Sequence, residues 1–270
     1  MDLSSKQYSA ADKYKARIAL TTRFRTNPVS RLKWIFDRFP KSDGLRILEL
    51  GSGTGLFWLA NRAGIRPSWT ITLSDYSAGM LAECRSQLVG VKANFDFEVI
   101  DARNIGHPDG TFDLVLANNM LYHLDKRESA LEGMRRVLKS RGMFVASTLG
   151  DRDNEELDEL LYDFLSAKGR RFRFRASAFS MENGFDQLRR VFRHVEVERY
   201  EDSLSIDEAK PIVDYYLSFN DMYEGLVVLP DEYAAEFEEY LSGILRERGR
   251  ISASKRSGVF VCERGAGDRR

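Results

Sequence analysis

The residues best placed for chemistry are Glu49, Gly51, Gly53 and Gly55, followed by Asp75 twenty residues after the last of these glycines. Glu49 interrupts a short apolar run, Ile47 to Leu50, that ends abruptly in glycine at alternate positions. Such a run reads as a buried strand that turns tightly. Leu56-Phe-Trp-Leu-Ala-Asn-Arg62 then reads as the start of a helix. Strand, glycine turn and helix make half of a nucleotide-binding βαβ unit, whose glycines let the backbone approach a ligand where a Cβ would collide. Asp75 closes a β-branched strand, Trp69 to Asp75. At that spacing, doubly wound folds place a carboxylate that accepts from both ribose hydroxyls. A strand-end Asp also serves as a helix cap, a task for which Ser77 competes. One acidic acceptor there does not separate the ribose of S-adenosylmethionine from that of NAD.

The last position of a dinucleotide fingerprint, G-x-G-x-x-G/A, must be small for close helix–strand packing. Here that position is Leu56, and the match fails. The spacing is G-x-G-x-G, with an acidic residue two places before the first glycine. It resembles motif I of the class I S-adenosylmethionine-dependent methyltransferases. The resemblance implies S-adenosyl-L-methionine as cofactor and S-adenosyl-L-homocysteine as product. It implies that the loop passes under the methionine part while Glu49 helps hold its amino end, directly or through water. It also places Asp101-Ala102 at the adenine, the carboxylate accepting from the exocyclic amine and the next amide donating to a ring nitrogen; a solvated Asp in a loop is the competing reading. Cofactor contacts then fall on Glu49, Gly51, Ser52, Gly53, Gly55, Asp75, Tyr76, Asp101, Ala102 and Asn118. The likeness runs from Leu45 to Thr148 and includes Arg135-Arg-Val-Leu-Lys139 leading through Ser140-Arg-Gly142 into a strand. Ala16-Arg-Ile-Ala-Leu20 with Thr26-Asn27, and Met181-Glu-Asn-Gly184, look like a bacterial subgroup of small-molecule methyltransferases.

The elements that must position these residues follow in order. Helices are predicted over Ala10 to Leu20 and Val29 to Phe39, the second with Leu32, Ile35, Phe36 and Phe39 on its core face. Strands are predicted at 69–75, 95–101, after a turn within 110–118, and at 143–148, 194–200 and 258–262. A helix at Ser77 to Val89, one at Ser129 to Leu138, an acidic one at Asp153 to Ala167 and one at Phe185 to Phe192 lie between them. The whole is α/β: a Rossmann-like, seven-stranded, doubly wound sheet, which the family resemblance completes with an antiparallel last strand inserted in it. One domain is expected over 1–270. Residues 1–39 would form an N-terminal helical lid, 45–148 the cofactor half, and 149–263 the substrate half with a helical insertion at 206–250. Residues 264–270 would be a flexible tail.

Methyl transfer from a sulfonium is an in-line displacement with a neutral leaving group. The enzyme mainly aligns and desolvates the reactants and, where needed, removes a proton. The chain shows no Ser/His/Asp set, no paired metal carboxylates and no zinc spacing, and no metal is expected. His123 is the candidate base, since its ordinary pKa suits proton transfer near neutrality; packing or a cofactor contact is the competing reading. Substrate contacts are expected from Tyr8 and Tyr14 on the lid, for which packing on the body of the domain is the competing reading, from Tyr122, and from Tyr215, Tyr216 and Phe219 in the insertion. The insertion aromatics serve equally well as a local core. Gly169-Arg-Arg-Phe-Arg-Phe-Arg175 reads as a strand with arginines on one face, a solvated edge guarded by charge or a contact for an anionic substrate; Arg17, Arg23 and Arg25 read as a solvated face, with a carboxylate or phosphate as the alternative partner.

Composition bounds the partners. Lys+Arg and Asp+Glu are both 41, so the basic excess usual in a nucleic-acid binder is missing. Asn118-Asn-Met-Leu121 is also not the [D/N]-P-P-[Y/F] motif of amino-methylating nucleic-acid enzymes. Cys84 and Cys262 are too few and too far apart for a disulfide framework or a zinc site. No apolar run reaches signal-peptide or transmembrane length. A cytoplasmic protein acting on a small molecule is expected, with neither nucleic acid nor membrane as partner. A cofactor-binding protein without transferase activity, and a nucleotide-dependent oxidoreductase on the same fold, remain open alternatives.

Overall fold

The computed structural model describes residues 13, 16–172, 174, 176–220 and 226–265. Tyr8, Tyr14 and the last five tail residues lie outside them. The chain divides into two compact units. A sheet unit comprises Val29–Asp151, Ala176–Tyr200 and Arg256–Arg270; a helical unit comprises Met1–Pro28, Arg152–Arg175 and Glu201–Lys255.

In the sheet unit, helix α2 (Arg31–Phe36) is capped by Ser30, whose hydroxyl accepts from the Lys33 amide. It follows α1, the helical stretch at 16–24 of the other unit. The helix is shorter than predicted because the chain tightens into turns at 37–39, yet Ile35, Phe36 and Phe39 are buried as its spacing requires. Strand β1 (Arg46–Leu50) is buried along its whole length after Arg46, as a strand covered on both faces must be. It pairs in parallel with β2 (Thr70–Asp75) on one side and β4 (Phe112–Asn118) on the other. Between them run α3 (Leu56–Ala60), α4 (Ala78–Gln87) and β3 (Asn94–Val99), the last parallel to β2. Then follow α5 (Arg127–Val137) and β5 (Leu138–Leu149), which is parallel to β4. Helix α5 buries Ala130, Leu131, Met134 and Val137 on one face.

Ser140-Arg-Gly142 is not a turn ahead of β5 but an irregularity within it. Phe112 pairs with Leu138 and Leu114 with Met143, so the register slips between them. The extra residues bulge out with Arg141 at φ 63°. The tail begins anchored: the Arg264 amide donates to Gly142 O at 3.0 Å, and its guanidinium to Arg136 O at 2.8 Å.

After α6 (Glu155–Ala167) and α7 (Gly184–Leu188) come the long strands β6 (His194–Ile206) and β7 (Ile251–Glu263), separated by α8 (Lys210–Leu217) and α9 (Ala234–Arg248). The sheet order is β3-β2-β1-β4-β5-β7-β6, with β7 antiparallel to β5. The seven-stranded sheet with its inserted antiparallel strand is as expected. An aromatic cluster of Phe36, Phe39, Phe57, Trp58 and Trp69 fills one face. Phe112, Phe144, Phe192 and Phe260 help fill another core.

The helical unit has its own core, in which Leu157, Leu161 and Phe164 of α6 meet Ile212, Val213 and Tyr216 of α8 and Phe237 and Leu241 of α9. Acidic residues crowd the first turn of α6, where the helix dipole favours them. Residues 169–172 and 174 are not strand; Phe172 and Phe174 turn edge to face, and Phe174 packs on Phe219. Arg17 donates to Ser218 O and Arg25 to Asn27 O, while Arg23 is exposed, as expected, and pairs at the surface with Glu208. No helix among the described residues is long and apolar enough to cross a membrane.

Candidate functional site

The site lies at the carboxyl ends of β1, β2, β3 and β4, where the strand order reverses between β1 and β4 and open α/β sheets bind ligands. The glycine loop leaves β1 and is tied to β2 by Ser52 N donating to Ser74 O at 2.8 Å. Asp75 then holds it from the side, accepting from Gly53 N at 3.0 Å and from Ser77 N at 2.9 Å. Ser77 takes the capping task itself, its hydroxyl accepting from Met80 N. Asp75 is thereby positioned by the loop and the start of α4, half-buried, with further lone pairs to offer.

The glycines differ in what surrounds them. A Cβ on Gly55 would stand 2.7 Å from Cys84 Sγ, so that glycine is required by packing. A Cβ on Gly53 would meet nothing within 4 Å. Gly53, at φ 54°, therefore presents bare backbone to open space. Beside it, the Ser52 hydroxyl is buried next to the Cys84 thiol. Tyr76, next to Asp75, is 74% exposed.

Glu49 is 1% exposed. Trp58 Nε1 donates to its Oε2 at 2.6 Å. Burial raises its pKa from 4.5 to about 8; the Trp58 bond opposes that rise and nearby Asp75 adds to it. This carboxyl is poised to ionise when a cation arrives. At the end of β3, Asp101 carries a bidentate pair with Arg103, which holds its carboxyl below the ordinary range. Ala102 is buried beside it.

Asn118 ends β4 and accepts from the Ser147 hydroxyl. Asn119 follows at φ 52°, its side chain accepting from Arg31 at 3.1 Å. Tyr122 and His123 lie in the next short turn, ring centroids 4.4 Å apart, with Tyr122 half-buried and His123 exposed. The expected cofactor residues and the expected base thus gather at one sheet edge of one unit. Tyr215, Tyr216 and Phe219 belong to the helical unit. There Tyr216 is a core residue with its hydroxyl donated to Asp158 at 2.8 Å. Tyr215 accepts from Asn154 at 3.1 Å, and Phe219 packs on its ring. Two residues of the site went unread in the sequence. Trp58 needed the fold to meet Glu49, whereas Arg103 was signalled by opposite charges two places apart.

Residues 48–146 match the family model described as a methyltransferase domain. The chain is 32% identical over 134 residues to a malonyl-[acyl-carrier protein] O-methyltransferase of Magnetococcus marinus, covering 49% of this chain and 48% of that protein. It is 35% identical over 101 residues to the ubiquinone/menaquinone biosynthesis C-methyltransferase UbiE of Xanthomonas campestris pv. campestris, covering 37% and 40%. The chain thus spans about half the length, or less, of the curated relatives it matches. Among solved structures, the phosphoethanolamine N-methyltransferase 2 of Haemonchus contortus, in complex with S-adenosyl-L-methionine, superposes with a TM-score of 0.55 at 17% identity. That match covers 96% of this chain and 58% of the other.

Proposed function

We propose, from the methyltransferase domain at residues 48–146, that the chain transfers a methyl group from S-adenosyl-L-methionine to a small-molecule acceptor. The observation that carries the reading is Gly53: its amide is fixed by Asp75, while the place of its missing side chain is open. The residues present suit this cofactor. Glu49 would face its amino group, Gly51, Ser52 and Gly53 its methionine part, and Asp75 its ribose hydroxyls. Tyr76, Asp101 and Ala102 would receive the adenine, and Asn118 would close the β4 side. When bound, the cofactor supplies an electrophilic sulfonium methyl and departs as a neutral thioether.

The protein's own contribution is positional. A loop already fixed on Asp75 loses little freedom on binding, and alignment of this kind supplies much of the rate in a displacement. His123 stands exposed beyond β4, where its imidazole would take a proton from an oxygen or nitrogen acceptor. Tyr122 would flank that acceptor. The aromatic group of Tyr215 and Phe219 is proposed to take part in acceptor binding, with Tyr216 supporting it from the core. The two free, buried cysteines fit a reducing cytoplasm.

Thermal unfolding with S-adenosylmethionine, S-adenosylhomocysteine and NAD in parallel tests the assignment, because a ligand of the folded state raises the midpoint by mass action. A rise with the two methionine derivatives and none with NAD is expected. A rise with NAD alone overturns the reading in favour of an oxidoreductase. Binding without S-adenosylhomocysteine production across a broad acceptor panel favours a cofactor-holding protein instead.

A further inference from the structure

Arg103 stands at the adenine end of the site with its guanidinium turned onto Asp101. Its backbone amide and Nε each donate to Asp101 Oδ1 at 2.9 Å. Nε and Nη2 donate to Oδ2 at 3.1 and 2.7 Å. A carboxylate oxygen offers two lone pairs, so both oxygens already face two donors each. An exocyclic amine that is to donate to Asp101 finds no free acceptor until the guanidinium moves. Arg103 cannot stand in for the carboxylate, since a guanidinium has donors only and keeps its charge.

The guanidinium also has somewhere to go. Its Nη1 lies 3.5 Å from Asp125 Oδ1, a second carboxylate on the far side. The Arg103 and Asp101 side chains are 44% and 33% exposed, so neither is locked by packing. The backbone around Asp101 is held independently of the guanidinium, through Arg103 N on Oδ1 and Asn104 N on the Asp101 carbonyl at 2.8 Å. Removing the Arg103 side chain therefore frees the carboxylate without undoing the turn.

We propose that Arg103 is a latch on the adenine subsite, occupying Asp101 in the free protein and yielding it, by transfer to Asp125, when an adenine enters. The latch makes binding an exchange of one partner for another. It lowers affinity for any adenosine-containing ligand and makes that affinity depend on ionic strength. It rests on the reading of Asp101 as the adenine acceptor.

Calorimetric titration with S-adenosylhomocysteine and with 5′-methylthioadenosine tests it in the wild type, Arg103→Ala, Asp101→Asn and the double variant, each checked for folding by circular dichroism. An exposed pair of this kind corresponds to Arg103→Ala binding both ligands about two- to fivefold tighter. Added salt screens the pair, so wild-type affinity should rise with salt and that of Arg103→Ala should not. On the Asp101→Asn background, Arg103→Ala should change nothing. Unchanged or weaker binding by Arg103→Ala, or an equal effect on both backgrounds, overturns the latch. A folded wild type that binds neither ligand refutes the cofactor reading itself.

Discussion

The indole Nε1 of Trp58 donates to the Glu49 carboxyl at 2.6 Å, with both side chains buried. Burial lifts the Glu49 pKa from 4.5 to about 8 in the folded chain, so the group holds its proton at neutrality. A raised folded-state value stabilises fully below the unfolded pKa and is lost as pH rises through the folded one. The contribution of Glu49 is therefore complete below pH 4.5 and gone above about pH 8. Denaturant unfolding across that window should show stability falling with pH, and Glu49→Gln should flatten the fall.

The same carboxyl predicts proton release on binding. A cationic amino group beside Glu49 favours its ionised form. S-adenosylhomocysteine affinity should rise between pH 6 and 8, within the window set by the raised value. Titrations in buffers of different ionisation enthalpy should report a proton leaving the complex. Glu49→Gln should abolish both effects.

Gly53 and Gly55 should separate binding from folding. Gly53→Ala meets no neighbour and carries only the strain of φ 54°, on the order of 1 kcal/mol. It should stay folded yet lose S-adenosylhomocysteine affinity by about tenfold or more, as a methyl group enters the ligand's space. Gly55→Ala must displace Cys84 Sγ from 2.7 Å and should cost ~3 kcal/mol in thermal or denaturant unfolding.

Asp75 and Ser77 should divide in a similar way. Asp75→Ala removes the acceptor of the Gly53 and Ser77 amides, costing about 1–2 kcal/mol, and should also reduce cofactor affinity severely. Ser77→Ala removes a helix cap worth about 1 kcal/mol and should leave affinity near the wild-type value. Parallel unfolding and titration of both variants checks the pair.

In the helical unit, burial raises the Asp158 pKa from 3.8 to about 7, against the pull of the Tyr216 hydroxyl bond. Its stabilisation is present below pH 3.8 and disappears as pH rises through about 7. Asp158→Asn should therefore be relatively more stable at pH 8 than at pH 5. Tyr216→Phe removes the opposing hydrogen bond and should destabilise most at pH 8, by about 1–2 kcal/mol.

The fold of residues 45–148 was legible because its signals are local. An apolar run broken by glycine, a β-branched strand ending in Asp75 and a capping Ser77 each declare themselves within a few residues. What escaped depends on register or on distant partners. Ser140-Arg-Gly142 has turn composition, but the pairing of Phe112 with Leu138 draws it into β5 as a bulge. The alternation at 169–175 suggested a strand, yet Phe172 and Phe174 meet each other and Phe219 instead of alternating across a sheet. Tyr216 looked equivalent to Tyr215 by composition. Only helical packing against Phe237, and a bond to an aspartate 58 positions away, separates them.

The placement of β7 between β5 and β6 has a consequence for how the protein is made. During synthesis β5 and β6 both leave the ribosome before the strand that joins them, with α8 and α9 emerging in between. Until residues 251–263 appear, β5 has no partner on that side and β6 no sheet to belong to. The nascent chain thus carries unpaired backbone open to wrong pairing, the condition under which chaperones are needed. Completion of the sheet must wait for translation of β7, whereas the β3-β2-β1-β4 block that bears the glycine loop can assemble earlier.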